Sequence, residues 1–146
     1  PKQNDLIAKK LGDEVIWLYA TQEYLDKFPE KTSHSELTDI QMIGFDNSNL
    51  VIDLLNKQGW QLTKQNFSLI TSNQMLQLAL AKQGLGVIFL PEDVAAKEPS
   101  LVRAFEHLGP IMTLPIWLVC HQELRTSRRV RRVFDFIGQA LKANLE

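Results

Sequence analysis

The sequence has one cysteine, no marked excess of either charge and no long apolar run, and each of these shortages excludes a class of protein. One cysteine in 146 residues can form neither an internal disulfide nor a zinc cluster. With 16 basic and 17 acidic residues, the chain has no overall attraction for nucleic acid. The apolar runs fall far short of the roughly 20 residues that span a bilayer. The composition therefore favours a cytoplasmic, water-soluble domain with no membrane segment.

The hydrophobic content of the chain is sufficient for an ordinary core. Hydrophobic residues make up 45% of the chain, and a domain of about 150 residues buries enough surface to fold without metal or disulfide cross-links. The first residues, from Pro1 to Asp5, lack the charged and then apolar layout of a secretory signal. Because the chain begins with proline and has no initiator methionine, we expect a processed segment or a piece cut from a longer protein.

Apolar runs alternate with helix-start signals along the chain. Gly12-Asp13 is a turn signal between the first two runs, and Asn or hydroxyl side chains after later runs can cap helices. This alternation predicts an α/β domain with a largely parallel sheet. The predicted strands are Leu6–Leu11, Val15–Ala20, Met42–Phe45, Phe67–Ile70, Gly86–Leu90, Leu101–Phe105 and Ile116–Cys120.

Three predicted strands run directly into a helix start, and these junctions form the candidate ligand site. They lie at Thr21, at 45–48 and at 70–73. In parallel sheets, ligands bind beyond the carboxyl ends of the strands. Helix starts there offer unpaired N–H groups and a positive dipole end, which suit an anionic small molecule. Taken singly, each polar side chain at these junctions is better explained as an ordinary helix cap, because capping is the commonest role of such residues.

No residues have the spacing of a catalytic or metal site. The histidines His34, His107 and His121 are far apart, and Cys120 lies beside His121 on a predicted strand, where neighbouring side chains point to opposite faces. Gly84-Leu85-Gly86 lacks the lysine of a phosphate loop. We therefore expect no enzyme activity, no metal and no cofactor.

Five of the six arginines lie between Arg125 and Arg132. Such a cluster could contact DNA phosphates. However, Val130, Phe134 and Ile137 give this segment one apolar face, and no aromatic residues interleave with the arginines. The arginines are better explained as the solvent-facing or partner-facing side of a helix capped by Ser127.

Five segments, in order along the chain, resemble the effector-binding domain of LysR-type transcriptional regulators. The fourth is similar to the family's A-x-x-G-x-G-I-x-x-L-P pattern, and the fifth is similar to its closing S-x-x-V-R-x-F-x-D-F-L helix. Each motif is weak alone, but their order and spacing are fairly specific. The segments are Asp5–Gly12, Leu18–Leu25, Pro29–Leu37 with Met42–Phe45, Leu80–Pro91 and Ser127–Ile137.

This resemblance implies a periplasmic-binding-protein-like type 2 fold of two Rossmann-like lobes joined by two crossover strands. A small metabolite, often an anion, would bind in the cleft between the two lobes. Its binding would change how a dimer or tetramer holds promoter DNA through a separate winged helix-turn-helix. Here Val15–Ala20 would be the outgoing crossover and Pro115–His121 the return. The second lobe would span about residues 21–114, with residues 1–20 and 115–146 forming the crossovers and a first-lobe remainder. The DNA-binding region and most of the first lobe would lie outside this chain.

The resemblance also singles out one loop, because its counterpart in the family faces the effector cleft. The same loop is one of the strand–helix junctions found from the residues alone. The family's Ser-Pro after the first strand is Thr21-Gln22 here, which makes that loop less rigid. The terminal helix would lack part of its packing surface and favour dimerisation. The expected effector contacts are Thr71, Ser72 and Asn73, followed by Thr21, Phe45 and Asn47.

Two other classes of protein use the same fold. A stand-alone solute-binding protein would need a secretory signal, which a processed chain could have lost, although the arginine-rich terminal helix fits a regulator better. An enzyme such as a dehydratase or deaminase would need acid–base groups at the strand ends. Those ends carry Thr, Ser and Asn, and Asp46 is the only acid among them.

Overall fold

The structure, a computed structural model, describes residues 5–29, 33–46 and 49–145. These residues form two compact units, one from Val15 to Met112 and one that combines the residues up to Glu14 with those from Thr113 onward. The unit Val15–Met112 includes the strand predicted as the outgoing crossover, so it begins earlier than the predicted second lobe of about residues 21–114. The strands are β1 (Leu6–Ala20), β2 (Ile43–Gly44), β3 (Leu69–Ile70), β4 (Ile88–Pro91), β5 (Val102–Arg103) and β6 (Met112–His121). The helices are α1 (Gln22–Leu25), α2 (Leu50–Asn56), α3 (Gln74–Lys82), α4 (Glu92–Ala95) and α5 (Arg128–Leu145).

Within the unit Val15–Met112, strand β1 runs antiparallel to β4 and to β5. Strand β2 pairs in parallel with β3, and a parallel bridge joins Met42 to Val87, the residues just before β2 and β4. The prediction of a largely parallel sheet is therefore wrong for β1. A continuous apolar run shows that a strand is buried but does not show which way its neighbours run.

Strand β1 is buried on both faces. Because side chains alternate between the faces of a strand, its successive residues pack into two different cores. Leu18 and Ala20 pack into one core with Tyr24, Leu55 and Phe67. Tyr19, from the same strand, packs into the other core, whose members include Ile43, Ala81 and Ile88. The apolar run at the end of β1 is thus explained by burial on both faces.

The second unit consists of the start of β1, strand β6, which pairs with β1, and α5. At Gly138, α5 packs closely against β6 and β1, since a Cβ there would lie 3.5 Å from Leu118 Cδ2 and 3.9 Å from Leu11 Cδ2. On the outer side of α5, Phe136 is 70% exposed, and the described residues do not cover it. The arginines of α5 are exposed, as predicted for its solvent-facing side.

The turn predicted at Gly12-Asp13 is wrong, because β1 continues through both residues. Asp13 instead lies on the exposed side of the strand and pairs with Lys10 at 2.7 Å. Gly-Asp is a local turn signal, and here the neighbouring strand keeps the chain extended. Phe67, predicted to begin β3, ends a 3-10 turn, and the strand starts at Leu69.

The caps predicted at Thr21 and Ser127 are confirmed. Thr21 accepts a hydrogen bond from the N–H of Tyr24 at 3.3 Å. Ser33 and Glu36 form a capping box, although the turn that they cap, His34–Glu36, is a short 3-10 helix. Ser127 lies at the start of α5, where its hydroxyl accepts from the N–H of Val130 at 3.5 Å.

Candidate functional site

The carboxyl ends of β2 and β3 lie side by side, with Gly44 opposite Ile70. One residue further along, the N–H of Thr71 donates to the carbonyl of Gly44 at 3.0 Å. Phe45 and Thr71, which directly follow the two strands, therefore lie at the same edge of the sheet. Phe45 is 46% exposed there, so part of its ring is available to a ligand.

The 71–73 loop (Thr71, Ser72 and Asn73) is shaped by its own hydrogen bonds. Asn73 caps α3, and its side-chain oxygen accepts from the N–H groups of Met75 at 3.0 Å and Leu76 at 3.2 Å. The hydroxyl of Thr71 accepts from the N–H of Asn73 at 3.2 Å, which leaves its hydrogen able to donate. Ser72 is exposed. The side-chain oxygen of Asn73 thus stabilises the helix, while the two hydroxyls can face a ligand.

Gln77 holds the edge together, and the sequence analysis missed it. It is 6% exposed, and its side-chain amide donates to the carbonyl of Gly44 at 3.0 Å and to that of Thr71 at 2.7 Å. One buried side chain therefore links the end of β2 to the 71–73 loop. Its spacing could have identified it. Gln77 lies one helical turn before the buried Ala81, which places a polar residue on the inner face of α3.

Thr21 is not brought to this edge. Because β1 runs antiparallel to β4, and β4 runs in the same direction as β2, the last residue of β1 lies where β2 begins. In agreement, the hydroxyl of Tyr24 accepts from the N–H of Gln41, just before β2, at 2.7 Å. The grouping of Thr21 with the other site residues is therefore wrong in geometry. Asn47 lies outside the described residues.

A cavity of about 220 Å³ adjoins the edge on the side of α2. We call it the side cavity. Phe45 and Ile70 line it, as do Val51 and Ile52 from α2. The described lining includes one cation, Lys64, which the sequence analysis also missed. The cavity lies within the unit Val15–Met112, and no residue of the 71–73 loop is among its described lining residues.

In the part of the chain that the structure describes, no helix is long and apolar enough to cross a membrane.

Comparison with known proteins gives the family. The sequence model described as "LysR substrate binding domain" matches residues 1–142. None of the curated proteins compared with the chain matches it significantly. Among solved structures, the chain is similar to the regulatory domain of CrgA, a LysR-type transcriptional regulator from Neisseria meningitidis, with a TM-score of 0.75 and 23% identity over 95% of this chain and 71% of that one.

Two full-length regulators show the same similarity of fold. The virulence activator AphB of Vibrio cholerae matches with a TM-score of 0.70 and 22% identity, over 96% of this chain and 49% of AphB. The LysR family regulator CbnR matches with a TM-score of 0.67 and 19% identity, over 91% of this chain and 47% of CbnR. The chain thus spans about half the length of these regulators. It has the periplasmic-binding-protein-like type 2 fold and belongs to the LysR substrate-binding-domain family.

Proposed function

We propose that this chain is the effector-sensing part of a LysR-type transcriptional regulator and that a small metabolite binds at the carboxyl edge of β2 and β3. The observation that carries this proposal is the convergence of Phe45 with the 71–73 loop, since Thr71 is bonded directly to the end of β2. An exposed aromatic face beside two hydroxyl groups combines apolar contact with a few directional donors, which is the composition of small-molecule sites.

The chemistry of this edge favours an effector with an anionic group. Thr71 and Ser72 can each donate a hydroxyl hydrogen, and both precede the amino terminus of the nine-residue helix α3, where the helix dipole favours negative charge. The described residues just beyond β2 and β3 include one acid, Asp46, which already interacts with another group of the protein.

In the whole regulator, effector binding would change how a dimer or tetramer holds its promoter. DNA contact would come from a winged helix-turn-helix outside this chain, in the cytoplasm, and this chain would have no catalytic role. The near-neutral charge of −1 suits a sensing module whose affinity for DNA resides elsewhere.

The test is a thermal-shift screen of this chain against carboxylates and amino acids, followed by calorimetry on any ligand that stabilises it. Thr71→Ala and Ser72→Ala should each weaken binding of that ligand about threefold to tenfold, the range for one lost hydrogen bond. Ser100→Ala, an exposed serine in a turn away from the edge, is the matched control. Unchanged affinity in both loop variants, with the circular dichroism of the helices intact, would contradict the assignment.

A further inference from the structure

We propose that the side cavity is a second binding compartment, which takes the apolar body of a small carboxylate and pairs the carboxylate with Lys64. No residue of the 71–73 loop is among its described lining residues, although Phe45 borders both, and its existence does not depend on the proposed function of that loop. The proposal combines three properties of the cavity, namely its walls, its size and its charge.

The walls are partly apolar. Val51 and Ile52 of α2 line the cavity together with Phe67 and Ile70, and three polar residues complete the described lining, namely Asp46, Asn49 and Lys64. Gly44 lets the ring of Phe67 pack against the strand backbone, because a Cβ at Gly44 would lie 3.1 Å from Phe67 Cδ1 and 3.5 Å from Ile70 Cγ1. Apolar residues combined with a few polar groups are typical of ligand pockets.

The size fits a short organic acid. A volume of about 220 Å³ has room for several water molecules and therefore for a small organic ligand. A branched aliphatic acid such as 4-methylpentanoate, with about eight non-hydrogen atoms, can place its alkyl group inside and its carboxylate at the opening. At this size, affinity is expected to be modest, with a dissociation constant of about 1 mM.

Lys64 supplies the charge that would attract an anion to the cavity. Among the described side chains, none forms an ion pair with Lys64, although the chain pairs other cations closely, such as Lys82 with Glu98 at 2.8 Å. An unpaired lysine beside an apolar wall can hold a carboxylate while its aliphatic stem extends the apolar surface. Asp46 also lines the cavity and would repel the same carboxylate, so its charge opposes binding.

The experiment follows backbone amide shifts of this chain by NMR during titration with 4-methylpentanoate. Saturable shifts should cluster at Val51, Ile52 and Ile70. The neutral analogue 4-methylpentanamide should bind about threefold to fivefold more weakly, the value of one exposed charge pair. Equal or tighter binding of the amide, or of the amine 3-methylbutylamine, would overturn the assignment of an anion. Absence of saturation up to about 20 mM, well above the expected dissociation constant, would overturn the compartment itself.

Two charge variants, one of them with a matched control, locate the site. Lys64→Gln should weaken binding of the acid about threefold to fivefold, while Lys57→Gln, an exposed lysine at the end of α2, should not. Asp46→Asn should strengthen it about twofold to threefold by removing repulsion.

Filling the cavity is the steric test. Ile70→Trp should abolish binding of 4-methylpentanoate, whereas Leu54→Trp, at a similarly exposed position on α2 outside the cavity, should leave it unchanged; the two side chains are 40% and 41% exposed. Thr71→Ala should also leave it unchanged, which separates this compartment from the edge proposed as the effector site. If Thr71→Ala weakens binding as much as Ile70→Trp, the two sites are one and the proposal of a second compartment fails.

Discussion

Replacement of Gln77 by leucine should loosen the edge formed by β2 and the 71–73 loop. Leucine keeps most of the side-chain volume but removes both hydrogen bonds from the amide, to Gly44 at 3.0 Å and to Thr71 at 2.7 Å. The carbonyl of Gly44 still accepts from the N–H of Thr71. The carbonyl of Thr71 loses the donor that Gln77 supplied, so most of the cost falls on this group.

The magnitude follows from burial. A hydrogen bond contributes about 1 kcal/mol net, and a carbonyl left without a donor costs about 1–3 kcal/mol when it is buried; because the bond to Thr71 is only partly buried, the lower part of that range applies. The extra apolar contact of leucine offsets part of this cost. Gln77→Leu should therefore lower the free energy of unfolding by about 2–3 kcal/mol, which at this chain length corresponds to a decrease in Tm of about 5–10 °C.

Urea unfolding followed by the fluorescence of Trp17 and Trp60 measures the loss, since both tryptophans lie in the same unit as Gln77. Gln74→Leu, an exposed position on the same helix, makes the same chemical change and should alter stability by less than about 0.5 kcal/mol. Hydrogen exchange of the Thr71 amide should accelerate in Gln77→Leu only. Equal stability of the two variants, or an unchanged exchange rate at Thr71, would refute the role given to Gln77.

Three further outcomes are expected. Gly86→Ala should destabilise the chain by about 3 kcal/mol, because the new Cβ would lie 2.6 Å from the carbonyl oxygen of Gln41. Gly59→Ala places its Cβ in open space at φ +98° and should cost about 1–2 kcal/mol. Urea unfolding that gives the reverse order of the two losses would contradict this prediction. Burial lowers the pKa of His34, so the unfolded state takes up a proton first as the pH falls through about 6.5. Stability should therefore decrease below that pH, and less steeply in His34→Gln; equal slopes of Tm against pH would exclude the effect. Light scattering at about tens of micromolar should show self-association of this chain, reduced in Phe136→Ser because that ring is 70% exposed; a monomeric wild-type chain would contradict the prediction.

The local features of the fold could be predicted because their causes are local. Asn73 caps α3 and Ser33 pairs with Glu36, since each interaction joins residues two or three positions apart. The apolar run before Thr21 predicted a strand buried on both faces for the same reason. The turn at Gly12-Asp13 was predicted from the same kind of signal and is wrong, because pairing with a strand about a hundred residues away keeps β1 extended there.

The candidate site could be predicted only in part. The sequence alone identified the junctions after β2 and β3, because strand ends and helix caps are readable from neighbouring residues. Tertiary structure decided which junctions meet. The antiparallel direction of β1 separates Thr21 from the edge where Phe45 and Thr71 lie.

Gln77 and Lys64 show the same limit. Their roles depend on the backbone carbonyls and apolar walls that folding places beside them, which no local pattern contains. The order of the motifs in the sequence indicated the family, and periodicity and capping, which act over a few residues, predicted an α/β domain and most element types. Only the tertiary structure decided strand direction and the grouping of side chains around the edge and the side cavity, because these depend on contacts between segments far apart in the chain.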